Sequence, residues 1–155
     1  MILRLPLTVT LPRKKKDDRV IPMNLNFYRN AHYQILNQAK ISFKEQVWLA
    51  ILDADIDTNL WVKYNPPPFI FDYIIYPGSS KAFDVANICS IIDKFTCDAL
   101  VDLKIITNDN YKIIQSVFYV FVAIDRENPR CELEIMSVKN DPQHKDKIML
   151  LGVGR

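Results

Sequence analysis

The chain has 155 residues, 49% of them hydrophobic, 25% charged and 11% aromatic, and carries a formal net charge of +2. Those proportions suit one globular domain around a single core and exclude a disordered or fibrous chain. So small a net charge gives no argument by itself for a nucleic-acid or membrane surface, which would need local clusters of cations.

Residues 2–11 alternate Leu3, Leu5, Leu7, Val9 and Leu11, the period-2 pattern of a strand with one buried face, and Pro6 makes it an edge or bulged strand. The apolar stretch precedes the basic run in MILRLPLTVTLPRKKK, the wrong order for a signal peptide. The charged run from Arg13 to Arg19 reads as a solvated loop, either a hairpin tip or an arm that contacts phosphate. Next, Leu36, Ala39, Phe43, Val47 and Ala50 recur at helical spacing, which predicts a helix over about 31–52 with Asn30 as its N-cap. Asn24, Asn26, Tyr28 and Arg29 then lie on its entry loop. Amides, a phenol and a guanidinium suit phosphate contact there, and a loop capping its own backbone is the alternative.

Residues 53–68 read as turns around the short apolar piece Leu60, Trp61 and Val62. Asp53, Asp55 and Asp57 alternate as in a calcium loop, but Thr58 and Tyr64 occupy the positions that need Gly and Glu, so the triplet is a solvated helix end. FIFDYIIYP, 69–77, is a strand, and PGSSKAF, which holds Lys81, is a loop leading to Asp84. A second helix is predicted from Asn87 to Val101, with Ile88, Ile92, Phe95 and Ala99 on its buried side. Asn108, Asp109 and Asn110 form a turn ahead of YKIIQSVFYVFVAI, 111–124, whose strongly apolar run predicts a central strand. ENPR reads as a hairpin turn, and CELEIMSV points Cys131, Leu133 and Ile135 inward. The tail 139–155 is left without an assigned element.

The order strand, helix, strand, helix, strand, strand predicts a single α+β domain over 1–155, with one mixed sheet packed by two main helices. Cys89, Cys97 and Cys131 are odd in number and lack Cys-x-x-Cys spacing, so neither a disulfide framework nor a zinc site is indicated, and a reducing compartment fits. With no run of about 20 apolar residues the expectation is no membrane partner and a cytoplasmic location.

At about 100° per residue, Asn87, Ser90, Lys94 and Asp98 fall on one polar stripe of the second helix, facing a cleft or solvent, while Asp93 points away. Asp84 sits where a carboxylate accepts free helix N–H groups. Asp109 begins the return to the sheet, and a strand–helix–strand path that returned both loops to one sheet edge would let Asp84, Asp109 and a further carboxylate bind a hard divalent cation, magnesium being the natural one. Lys94 would neutralise the charge that builds on a phosphate in the transition state.

The set D-V-A-N at 84–87, D-K-F-T-C-D-A-L at 93–100 and N-D-N-Y at 108–111, with NLNFYRNAHYQILNQAK at 24–40, resembles the RusA family of Holliday junction resolvases, in the branch often carried by phages and prophages. The resemblance covers roughly residues 20–135. It implies a homodimeric α+β endonuclease that resolves four-way DNA junctions in recombination and repair, with Mg2+ as cofactor and Mn2+ able to replace it. The family motif runs D-x-D-N, a lysine and D-A-L on one helix, then a D-D pair. Asp84 matches its first aspartate, Asn87 its asparagine, Asp98-Ala99-Leu100 the D-A-L, Lys94 the lysine, with a helix one turn longer in between, and Asp109 the second of the pair. The implied catalytic set is Asp84, Lys94, Asp98 and Asp109, with Asp84, Asp109 and Asp98 on the metal and Asp93 as the alternative third ligand. Asn24, Asn26, Tyr28, Arg29, Lys81 and Asn87 are the implied DNA contacts. Ala86 and Asn108 stand where the family has aspartates. Their loss makes a catalytically impaired relative that binds branched DNA, or a partner-binding protein on the same scaffold, the alternatives to an active enzyme.

Overall fold

The leucine alternation at the start of the chain builds two short strands instead of one. In the computed structural model, which describes residues 1–140, β1 spans Ile2–Leu5 and β2 spans Thr8–Leu11, each burying every second residue. Pro6 has no N–H to give a ladder, and the chain passes there from one sheet to another. β2 pairs antiparallel with β3, Arg19–Pro22, so the charged run 13–18 is a hairpin tip, tied by the Arg13 Nε donating to the Asp17 carbonyl at 2.7 Å.

Two helices replace the one expected after the hairpin. α1 covers Leu25–Asn30 and is capped by Asn24, whose Oδ1 accepts from the Phe27 N–H at 2.9 Å. α2 covers Tyr33–Asp53 and is capped by His32, so Asn30 closes α1 and does not start α2. The buried face of α2 contains Ala39, Phe43, Val47 and Ala50, as the spacing predicts, and also Ile51, whereas Leu36 is only half-buried against the core. The stretch read as turns holds a further short helix, α3, Thr58–Tyr64, capped by Asp57 through a 3.0 Å bond from the Leu60 N–H. Trp61 of α3 stacks on Phe69 with centroids 5.6 Å apart.

The main sheet adds β4 (Phe69–Tyr76), β5 (Ile114–Phe121) and β6 (Arg130–Ser137), in the order β1-β6-β4-β5. β4 is central, parallel to β5 and antiparallel to β6, so the sheet is mixed. α4, Val85–Asp102, is the crossover between the two parallel strands. The result is the α+β domain expected, with α2 and α4 as its main helices, packed on each other and on the sheet.

Two strand placements differ from the sequence reading. The apolar segment 111–124 supplies an edge strand, β5, and not a central one. ENPR does not join neighbouring strands either, because β6 crosses to the far side of β4.

One face of the sheet is covered by the helices. Phe71, Tyr73 and Ile75 of β4 and Cys131, Leu133 and Ile135 of β6 are buried there. Phe95 of α4 is where the helices meet. Its ring lies edge-on to Tyr28 of α1 at 6.2 Å and to Phe43 of α2 at 6.0 Å. Burying a ring of this kind is worth about 1.5–3 kcal/mol.

Candidate functional site

The chemistry-bearing residues picked out of the sequence fall on α4 and its two flanking loops, but they do not form one cluster. Asp84 is the N-cap of α4. Its Oδ1 accepts from the N–H groups of Ala86 at 2.9 Å and Asn87 at 3.4 Å, satisfying backbone donors that the first turn cannot pair internally. Asp98 lies fourteen residues further along the helix, a rise of about 21 Å. Asp109 belongs with Asp98, since both line a groove of about 460 Å3 between α2, the end of α4 and the loop that follows. The parallel crossover explains the separation: α4 runs back along the sheet, so its two loops sit at opposite ends of the strands.

Asp84, Asp98 and Asp109 of one chain therefore cannot share a cation, which corrects the expected metal set. Magnesium needs its oxygen ligands at about 2.0–2.1 Å. Asp98 is moreover held by Lys40 of α2, whose Nζ lies 2.7 Å from Oδ2. Among the described residues no three His, Cys, Asp or Glu side chains are grouped so as to hold a metal. The residues of a single chain do not fit the ion.

The expected third ligand Asp93 has a different place. It faces β5, where Oδ2 accepts from the Tyr119 hydroxyl at 2.9 Å and Oδ1 from the Cys97 thiol at 3.2 Å. Burial, reinforced by the Asp93 charge and these bonds, pushes both the Cys97 thiol and the Tyr119 phenol well above their ordinary ranges. Asp93 is thus a link between helix and sheet.

The polar stripe of α4 borders the seam with α1 and α2. Asn87 spends its side-chain carbonyl on the Leu25 N–H at 2.9 Å, fixing the start of α1 against α4. Asn24 likewise spends its carbonyl on capping α1, and Tyr28 packs on Phe95. For these three residues the structure supplies a packing or capping role in place of a free DNA-facing one. Asn26 and Arg29 on α1, Lys81 on the loop before α4, and Lys94 at mid-helix are exposed. Lys94 is in no ion pair among the described residues.

The groove at the other end of α4 holds residues the sequence reading missed. Lys40 and Lys44 sit one turn apart on α2, facing Asp98 and Asp102 one turn apart on α4, with Lys44 Nζ 3.1 Å from Asp102 Oδ2. Matching i,i+4 pairs of opposite sign on the two main helices are a signal that a search could have used. Asn108 lies on the groove's rim beside Asp109, and its Oδ1 accepts from the Asn110 N–H at 3.1 Å.

No family model matches the chain, and no curated protein matches it. No described helix is long and apolar enough to cross a membrane.

Proposed function

We propose that this chain is a cytoplasmic, structure-selective DNA endonuclease of the RusA kind, hydrolysing phosphodiesters at four-way junctions as a homodimer with magnesium. The observation that carries the reading is that Asp84, Asn87, Lys94, Asp98 and Asp109 all lie on one crossover, α4 with its two loops, as the resolvase motif requires. Exposed Arg29, Lys81 and Lys94 offer cations to the DNA backbone, and such contacts fix register on the duplex without reading sequence. The Asp84 carboxylate keeps Oδ2 outside the cap, since the Ala86 and Asn87 N–H groups both donate to Oδ1. A bound divalent cation would polarise the phosphate and activate water. A dimer is needed because a junction presents two symmetry-related strands, and paired cuts leave duplexes that can be sealed.

A second reading has its own observation. Ala86 and Asn108 remove two carboxylates, and Lys40 neutralises Asp98, so a protein that binds junctions without cutting them accounts for the same chain. A labelled four-way junction incubated with the full chain and Mg2+ or Mn2+ separates the two. Paired incisions that vanish in Asp84→Asn and Asp109→Asn support the enzyme. Salt-sensitive binding with intact DNA supports the second reading, and Ala86→Asp should then create cleavage. Absence of any junction affinity sinks both.

A further inference from the structure

We infer that the β2–β3 hairpin is a phosphate-binding arm, with Arg13, Lys14, Lys15, Lys16 and Arg19 at its tip holding the backbone of a duplex limb of the DNA. The inference deepens the nuclease reading above and rests on it.

The fold accounts for this turn but not for its charge. Five cations and two aspartates leave +3 on residues 13–19, against +2 for the whole chain, so everything else sums to −1. The positive charge of the protein is gathered here, and a polyanion responds to such a cluster, not to the total. All seven residues are exposed. The cations of α2 and β6 are each paired, Lys40 and Lys44 with Asp98 and Asp102 at 2.7 and 3.1 Å, and Arg130 with Asp125 and Glu132 at 2.6 and 2.7 Å. At the tip no cation is in an ion pair among the described residues, although Asp17 and Asp18 share the turn. Arg13 spends only Nε, on the Asp17 carbonyl.

The arm is fixed at its root. Val9, Leu11 and Ile21 are buried, the ladder runs from Thr8 opposite Pro22 to Leu11 opposite Arg19, and the Met23 N–H extends it by donating to the Leu7 carbonyl at 2.9 Å. A tip held this way loses little freedom on binding. Residues 13–19 include no apolar side chain to insert into a bilayer or a protein pocket, so charge alone is on offer.

The arm also lies where the nuclease reading needs it. At its root, β3 runs through Met23 to Leu25, whose N–H is held by Asn87 in the first turn of α4, beside Asp84. At its outer end, Thr10, Leu11 and Pro12 share a cleft with Ile41 of α2, and Ile41 also lines the groove that holds Asp109. The hairpin thus follows α2 from the Asp84 end of α4 toward the Asp109 end, and the tip stands about one helix width, roughly 10 Å, from the groove. Nine residues separate Lys16 from Leu25, an extended reach of at most about 30 Å. Phosphates held by the tip therefore lie within about ten base pairs of the one facing Asp84, at about 3.4 Å per base pair.

The test is binding of the full chain to a labelled four-way junction, without divalent metal, across about 50–200 mM salt. The triple variant Lys14→Ala/Lys15→Ala/Lys16→Ala should keep the wild-type melting temperature, bind at least tenfold more weakly at the low end, and flatten the slope of log affinity against log salt by about 2–3. Arg4→Ala/Lys63→Ala/Lys139→Ala removes the same charge from exposed positions on other elements and should change the slope by less than about 1. An unchanged slope in the tip variant, or equal losses in the two variants, overturns the arm and leaves the nuclease reading to its cleavage assay. A wild type without salt-sensitive junction affinity overturns both. Retention on phosphatidylserine vesicles that the tip variant loses while its DNA affinity stays intact assigns the tip to a membrane and overturns the inference. Because the three native cysteines are buried, Lys15→Cys can be given a photoreactive group selectively. Crosslinks should fall within about ten base pairs of the crossover, and crosslinks only beyond that distance overturn the placement.

Discussion

At the scale of single residues, Asp84 carries two loads that a pair of substitutions can separate. As an N-cap it satisfies the first turn of α4, and in the proposed nuclease its carboxylate would offer negative charge to a metal ion. Asp84→Ala should lower stability by about 1 kcal/mol, whereas Asp84→Asn, an equally good cap, should leave the melting temperature nearly unchanged and still abolish junction cleavage. Thermal melts run beside the cleavage assay decide it, and cleavage surviving in Asp84→Asn would remove the charge from the mechanism. Asn87 shows the opposite case. Its side chain is spent on the Leu25 N–H, so Asn87→Ala should cost about 1–3 kcal/mol through an orphaned donor. Both residues were legible as motif positions, but only Asp84's capping geometry could be read from sequence, because the partner of Asn87 lies 62 positions away.

At the scale of elements, what the sequence reported was burial, and burial does not name its cause. The helical spacing of α2 and α4 located both, and the alternation at Cys131, Leu133 and Ile135 located the inner face of β6. β5 reads as central because its residues from Val117 to Phe121 are aliphatic or aromatic without interruption, and composition alone does not separate a strand buried between neighbours from an edge strand whose apolar side chains are exposed. The split of α1 from α2 and the existence of α3 were not legible. Each hangs on one capping side chain, His32 or Asp57, in segments too short for a periodicity to show. The single metal site failed for a geometric reason, since a parallel crossover sends the ends of its helix to opposite ends of the sheet. Phe95 is the element-level keystone, touching α1 and α2 from α4. Phe95→Ala should destabilise by about 3–5 kcal/mol in urea unfolding. A loss below about 1 kcal/mol would mean the three helices are not coupled through that ring.

At the scale of the whole molecule, the buried polar groups between α4 and the sheet set its response to chemistry from outside. Cys89, Cys97 and Cys131 are all buried, so a thiol reagent should label none in the native state and three on denaturation. Prompt native-state labelling would show that α4 opens away from the sheet. Alkali is the second probe. Burial and the Asp93 charge raise the Tyr73 and Tyr119 phenols, so folding favours their protonated forms. Their contribution is complete below the ordinary phenol range of about 10 and is lost as pH rises beyond it. Ultraviolet difference spectra should show these two phenolates forming only together with loss of the circular dichroism of the fold. Tyr119→Phe should remove one of them and the bond to Asp93.

The sheet is closed by the two ends of the described chain. β1 pairs only with β6, Ile2 opposite Glu134 and Leu5 opposite Cys131, and the Ile135 N–H donates to the Met1 carbonyl at 2.8 Å. β4 likewise lacks its antiparallel neighbour until β6 arrives. During synthesis the growing polypeptide therefore leaves the ribosome with its first strand unmatched and its middle strand open on one side until about residue 137 has cleared the exit tunnel. Nascent chains arrested before β6 has emerged should be cut by protease within 1–5 and 69–76, and the whole sequence held clear of the tunnel by an added C-terminal linker should resist.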